Sequence, residues 1–109
     1  MATGTVARPN FINVYTDINQ LTSTPETATT NDIYQAMSPW SIAMLKAENT
    51  TYMYTQELGG GIAWADVILI KYSSKWDGFG LAKPYNSKSA YIFRLSSGAT
   101  GGWEKISLV

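Results

Sequence analysis

The chain has 109 residues, the size of one ordinary domain, and 45% of them are hydrophobic. Eight acidic and eight basic residues give a formal net charge of zero, and the basic residues are scattered, which argues against nucleic acid as a partner. Neither cysteine nor histidine is present, and this excludes disulfides, thiol chemistry and the common zinc sites.

The N-terminal third is polar and rich in threonine. Residues 1–10 lack the apolar stretch of a signal peptide, so we expect a soluble chain made in the cytoplasm. An alternating apolar piece follows at residues 10–15, and the threonine-rich loop at residues 22–31 is either packed on a neighbour or disordered. We assign residues 1–16 to an N-terminal connecting segment and residues 17–109 to the folded domain.

The middle of the chain carries one helix signal and one ambiguous segment. Asn31 or Asp32 is predicted to cap a short helix that ends before Pro39. Residues 40–47 have the composition of a helix but the position of a strand. Residues 52–58 are predicted to form a strand because tyrosine and threonine favour extended structure.

Strands and turns alternate through the C-terminal half, at the spacing typical of antiparallel sheets. Further strands are predicted at residues 63–72, 79–82, 90–95 and 103–108. The longest nearly apolar run, residues 62–70, is far shorter than the ~20 residues that span a bilayer, so no membrane insertion is expected. We therefore predict a mainly β fold: a small antiparallel β-sandwich or barrel-like knob with at most one short helix.

Carboxylates are the main catalytic side chains left, and none of the eight lies in a recognisable motif. A pair of them could flank a sugar as in a glycosidase, which the sequence does not exclude. Solvated charges and turn formers are the favoured interpretation. We therefore predict that the protein is not an enzyme and holds no metal or cofactor.

Aromatic and amide residues supply the candidate ligand contacts. Trp76 and Asp77 lie at a predicted turn, Tyr85 and Asn86 lie in the next loop, and Tyr72 is a neighbouring candidate. Exposed indole and phenol rings stack on the C–H faces of sugars, while amides and carboxylates bond the hydroxyl groups. The alternative for Trp76, which is favoured, is that it fills the edge of the core.

The other three tryptophans are better explained by packing than by ligand binding. Trp40 and Trp64 are predicted in the core, and Trp103 is predicted in the core or between subunits.

Three short pieces occur in a characteristic order in the C-terminal half. Residues 65–71 precede a turn, residues 91–94 have the form aromatic-x-x-Arg, and residues 103–106 have the form Trp-x-x-Ile after a glycine turn. In this order they resemble the knob-like tips of phage tail fibres and pyocin fibres. Residues 17–21 resemble the lead-in of such a domain, so the resemblance covers residues 17–109. The chain departs from the family in lacking a stalk before the knob.

The resemblance implies a homotrimer at the distal end of a fibre, in contact with other virion or fibre proteins. It also implies recognition of a bacterial surface polysaccharide by the candidate residues, with Arg94 and Trp103 as framework. Several weak sites on one particle could raise the effective affinity by ~10²–10⁴. The expected location is the virion, after synthesis in the host cytoplasm.

A structural virion component is the main alternative: a head fibre, a decoration protein or a trimerising cap without a ligand. A lectin-like bacterial surface module is disfavoured because no signal peptide is recognised. A receptor-binding tip should expose its loop aromatics, whereas a structural cap should bury them between subunits.

Overall fold

Six strands form one mixed sheet in the computed structural model, which describes residues 13–60, 63–72, 78–95 and 102–107. The strands lie in chain order across the sheet, and the sheet does not close on itself. β1 runs parallel to β2, and all other neighbours are antiparallel. The strands are β1 Asn13–Tyr15, β2 Ser41–Ala47, β3 Ala65–Lys71, β4 Gly78–Pro84, β5 Ser89–Leu95 and β6 Trp103–Ser107.

The predicted mainly β fold with at most one short α-helix is confirmed. The described strands form one open mixed sheet with helices on one side, rather than the two sheets of a sandwich or a closed barrel. Three helical elements accompany the strands: the 3-10 helix Ile18–Gln20, the α-helix α1 Thr30–Ala36 and the π-helix Met53–Glu57. In the part of the chain that the structure describes, none of these is long and apolar enough to cross a bilayer. β1 falls within the segment that we assigned as a connector, and it pairs with β2.

Helix α1 begins earlier than its predicted cap. Thr29 is the N-cap: its hydroxyl accepts from the Asp32 amide at 3.1 Å, and its own amide donates to the Asp32 carboxylate at 3.0 Å. This reciprocal capping box satisfies two amides that the first helical turn leaves unpaired. The assignment of Asn31 or Asp32 as the cap was therefore wrong, and Asp32 serves as the third helical residue.

The strand predicted at residues 52–58 is wrong, because these residues form the π-helix. The Thr51 hydroxyl accepts from the Tyr54 amide at 3.2 Å, and the Leu58 amide donates to the Met53 carbonyl at 2.9 Å. Met53, Tyr54 and Leu58 are all buried, and the five-residue spacing from Met53 to Leu58 matches a π-helical turn. The ambiguous segment at residues 40–47 is strand β2.

The helical elements contribute the core residues that pack on one side of the sheet, called here the inner face. Alternate residues of β2 and β3, such as Ala43, Leu45, Val67 and Leu69, are buried there with side chains of α1 and the π-helix. At Gly80 of β4 there is no room on this face for a side chain. A Cβ atom at Gly80 would lie 2.6 Å from Leu69 Cδ2.

Two buried polar links tie the helices to the sheet. The ammonium group of Lys71, a β3 residue that is 2% exposed, donates to the carbonyls of Tyr34 and Met37 at 2.6 Å each, at the C-terminal end of α1.

The second link begins at Trp103 on β6. Its indole Nε1 donates to the Thr30 hydroxyl at 2.8 Å, and that hydroxyl donates to the Glu57 carboxylate at 2.6 Å. The Trp103 ring also packs 5.2 Å from the Phe93 ring. Packing of Trp103 against the core is thereby confirmed.

Candidate functional site

The other side of the sheet, called here the outer face, is apolar and largely open to solvent. Side chains on a strand alternate between the two faces, so the residues between the buried ones project outward. Several are large and well exposed: Val14 at 52%, Met44 at 48%, Leu81 at 44%, Ile106 at 42% and Ile68 at 41%. Single exposed apolar residues are normal on a protein surface, but a cluster on one face marks an interaction site.

The strand register makes this apolar surface continuous. Met44, Ile68, Leu81 and Ile92 are successive cross-strand neighbours on β2 to β5. A second row lies beside the first. It consists of Ile42, Ile70, Phe79 and Arg94, in the same strand order. The outer face therefore carries an aliphatic patch four strands wide with one arginine at its corner.

A row of alternating charge borders this patch. Lys46, Asp66 and Lys83 are neighbours across β2, β3 and β4 and are all exposed. A shallow groove of about 580 Å³ runs between this row and the aliphatic patch. The Lys83 ammonium donates to the carbonyl oxygens of Pro84 (3.1 Å) and Ser87. Across β2, β3 and β4, the charges of this row are therefore positive, negative and positive.

Aromatic side chains close the outer face at one end of β3. The Trp64 and Tyr85 rings stack at 4.3 Å with an interplanar angle of 23°, and the Lys46 ammonium lies 4.4 Å from the Trp64 ring centroid. Tyr85 is 60% exposed, whereas Trp64 is half-buried. Trp64 does not belong to the core cluster, so its predicted core position is wrong.

The opposite end of β3 carries a second aromatic group. The ring centroids of Trp40 and Tyr72 lie 6.3 Å apart, and those of Tyr72 and Phe79 lie 6.4 Å apart. Trp40 is also outside the core cluster, contrary to its predicted position. Its φ of 57° is strained for a bulky residue, and such strain persists only where the surroundings hold it. Its amide donates to the Tyr72 carbonyl at 2.6 Å, which fixes this end of the face.

The predicted ligand residues do not form one site. Trp76 and Asp77 lie outside the described residues. Tyr72 and Tyr85 follow the C-terminal ends of two antiparallel strands. The register places them at opposite ends of the outer face, eight residue steps or about 26 Å apart. Asn86 belongs to a different surface, a cleft beside the β4–β5 loop.

This cleft has a volume of about 440 Å³ and a mostly polar lining. It is bounded by the loop after the π-helix, where Gly60 packs so closely on the Tyr54 ring that a Cβ atom there would collide with it. Asn86, Tyr91 and Lys105 line its other side. Among the residues with described positions, no group of three or more acidic residues could hold a metal ion.

The outer face as a whole was not predicted from the sequence, although its signal is present. In β3, residues 67–70 are apolar without interruption, which is typical of a strand covered on both faces. The described helices pack on the inner face, so no described element covers the apolar residues of the other face. No family model, curated protein or solved structure matches the chain.

Proposed function

We propose that the protein is a non-catalytic structural subunit that assembles with copies of itself through the outer face. The observation that carries this proposal is the continuity of the aliphatic patch. Met44, Ile68 and Leu81 are neighbours on three successive strands, and each is 41–48% exposed. An isolated domain gains nothing from keeping such residues in water, whereas a partner surface that covers them is stabilised by the hydrophobic effect.

The size of the outer face suits this role. Strands spaced ~4.8 Å apart and seven residues of ~3.3 Å each give a face of roughly 24 by 23 Å, or about 550 Å². The aliphatic patch, two rows on four strands, occupies roughly 250 Å² of this face, and the charged row borders it. Zero net charge also removes the electrostatic repulsion that keeps many proteins apart.

The resemblance to phage and pyocin fibre tips supports a virion as the setting. In that setting the subunit is a head fibre, a decoration protein or a cap, and it contacts other virion or fibre proteins. Synthesis in the host cytoplasm agrees with a chain that uses no cysteine. The homotrimer implied by the resemblance and a two-fold dimer both cover the outer face, and they differ in which residues meet.

Glycan binding by a fibre tip is the second candidate, and the Trp64–Tyr85 stack favours it. Tyr85 keeps most of one ring face open, which is the geometry that stacks on a sugar. Trp76, Asp77 and Asn86 remain proposed contacts. The test is binding of the labelled protein to bacterial cells, competed by surface polysaccharide. This candidate predicts that Tyr85→Ala lowers cell binding, and unchanged binding would contradict it.

The assembly proposal is tested by sedimentation over a wide range of protein concentrations. We expect the wild type to associate and Leu81→Asp to remain a monomer with an unchanged circular dichroism spectrum, because a carboxylate at the centre of the patch opposes desolvation. Lys88→Asp is the matched control, since Lys88 is an exposed loop residue away from the patch. A wild type that stays monomeric at every concentration, or Leu81→Asp that associates like the wild type, would contradict the proposal.

A further inference from the structure

The charges of the outer face determine how a second copy can lie on it. We infer that two copies pack outer face to outer face about a two-fold axis that runs parallel to the strands, between β3 and β4. In this arrangement Asp66 of each copy pairs with Lys83 of the other. The inference rests on the proposed function and adds its stoichiometry, its axis and the residues that fix the register.

The area reaches the lower limit for a biological interface, as expected of a weak dimer. Two outer faces of about 550 Å² each bury about 1,100 Å² in total, above the ~1,000 Å² expected of a biological interface. Aligned packing of two twisted sheets is a common arrangement, in which the side chains of the facing sheets interdigitate. A two-fold contact of this kind also closes, so both patches are covered and no further copy is added.

The register of the strands defines what meets across the proposed axis. The axis places β3 of one copy over β4 of the other. Each row of one outer face then lies over the corresponding row of the other copy. Ile68 then faces Leu81 of the second copy, and Ile70 faces Phe79, so the central residues of the aliphatic rows cover each other. Toward the edge of the patch, Arg94 faces Ile42 of the second copy, and its long side chain has to extend to water. In the charged row Asp66 faces Lys83 of the second copy, and the same pair forms again on the other side of the axis.

The other simple arrangements lack this complementarity. An axis in the plane of the sheet but perpendicular to the strands would place the charged row over the row that contains Ile70 and Phe79, which leaves buried charges without partners. In a three-fold arrangement, three flat sheets cannot all lie face to face, so less of each outer face is covered than in the two-fold arrangement.

The Lys83 ammonium can accept the new partner without losing the old ones. It has three donor protons, and the carbonyls of Pro84 and Ser87 take two. These two contacts also hold the ammonium in place before association, which reduces the side-chain entropy lost in the dimer. The Asp66 carboxylate is exposed between two lysines and is available on the surface. The pairs act mainly on register and specificity, since desolvation offsets much of their attraction.

Charge exchange between copies tests the inference. Asp66→Lys and Lys83→Asp should each weaken self-association about 10–100-fold, because each places like charges across the axis twice. When the two variants are mixed, both cross-axis pairs become complementary, and we expect a heterodimer within about tenfold of the wild-type affinity. The mixture of Asp66→Lys with Lys88→Asp is the matched control, because Lys88→Asp has the same net charge as Lys83→Asp but leaves the outer face intact.

A double variant tests the inference even if the single substitutions Asp66→Lys and Lys83→Asp disturb folding. Asp66→Lys combined with Lys83→Asp preserves an opposite-charge pair between β3 and β4 within each copy. This double variant should self-associate but should not exchange subunits with the wild type, since both cross-axis pairs would then repel. Native mass spectrometry of mixed samples measures the exchange directly.

The outcomes separate the inference from the proposed function. A wild-type dimer, lost in the single variants and restored by mixing them, supports both. A trimer that Leu81→Asp disrupts, or a dimer that mixing and the double variant leave unchanged, overturns the two-fold arrangement and retains assembly through the outer face. Association that Leu81→Asp leaves unchanged overturns both.

Discussion

Substitution of Thr30 by valine should destabilise the fold more than any change of similar size at the surface. Thr30 is fully buried, and its hydroxyl accepts from Trp103 Nε1 at 2.8 Å and donates to the Glu57 carboxylate at 2.6 Å. Valine has nearly the same shape but neither hydrogen bond. The change therefore removes the link between β6 and α1 and weakens the link between α1 and the π-helix, without creating a cavity.

The size of the effect follows from the two bonds. The bond to the carboxylate is worth about 1.5–3 kcal/mol and the bond from the indole about 1 kcal/mol. The methyl group that replaces the hydroxyl adds about 0.8 kcal/mol of hydrophobic stabilisation. We therefore expect Thr30→Val to lower the free energy of unfolding by about 2–3 kcal/mol. The Glu57 carboxylate keeps its bond from the Thr30 amide at 3.0 Å, so the loss is not larger.

Urea unfolding followed by circular dichroism is the assay. With a slope of about 1.5 kcal/mol per M urea, the midpoint should fall by about 1.5–2 M. Thr27→Val is the matched control, because among the described residues the exposed Thr27 hydroxyl bonds the Thr24 carbonyl alone. We expect a change within about 0.5 kcal/mol. A Thr30→Val protein as stable as this control would refute the role assigned to the network.

Three further predictions concern the buried side of the sheet. Lys71→Met should lower the free energy of unfolding by about 2–4 kcal/mol, because two carbonyls at the end of α1 lose a charged donor; urea unfolding measures this, and a loss below that of Lys88→Met would contradict it. Gly80→Ala should cost about 1–3 kcal/mol in the same assay through its contact with Leu69, and a neutral effect would show that this site is not crowded. Burial raises the pKa of Tyr34 far above its usual range, so the unfolded chain loses this proton first as pH rises. The free energy of unfolding should therefore fall above about pH 10 by up to ~1.4 kcal/mol per pH unit, and Tyr34→Phe should flatten that fall relative to the wild type. A slope that Tyr34→Phe leaves unchanged would contradict the assignment.

Much of the sheet could be predicted because local signals and tertiary structure agree there. Strands β3 and β5 are mostly apolar segments, and β6 follows a glycine-containing turn; the structure places all three within two residues of their predicted bounds. Helix α1 was predicted too, but its Thr29-x-x-Asp32 capping box was overlooked. This pattern is present in the sequence and identifies Thr29 as the N-cap.

The π-helix could not be predicted in the same way. Tyr54 and Thr55 favour strands, and only the burial of Met53, Tyr54 and Leu58 in the core reverses that preference. Tertiary contacts of this kind are not visible in a short window of sequence.

The candidate site is the part that sequence reasoning missed most. The predicted ligand contacts were aromatic residues of predicted loops and their neighbours, such as Tyr72 and Tyr85. The structure places these two residues at opposite ends of one face. The patch between them consists of ordinary strand residues, whose role depends on which side the helices cover. That choice is made by packing of the whole chain, so the alternation of a single strand does not reveal it.

Oxidation of Met44 by peroxide tests the central claim, that the outer face is covered in the assembled protein. Met44 is 48% exposed in the isolated chain, whereas Met37 and Met53 are buried and serve as internal standards. Peptide mass spectrometry should find Met44 oxidised nearly as slowly as the two standards at high protein concentration, and much faster on dilution or in Leu81→Asp. Met44 oxidation that is fast and independent of concentration would contradict the claim.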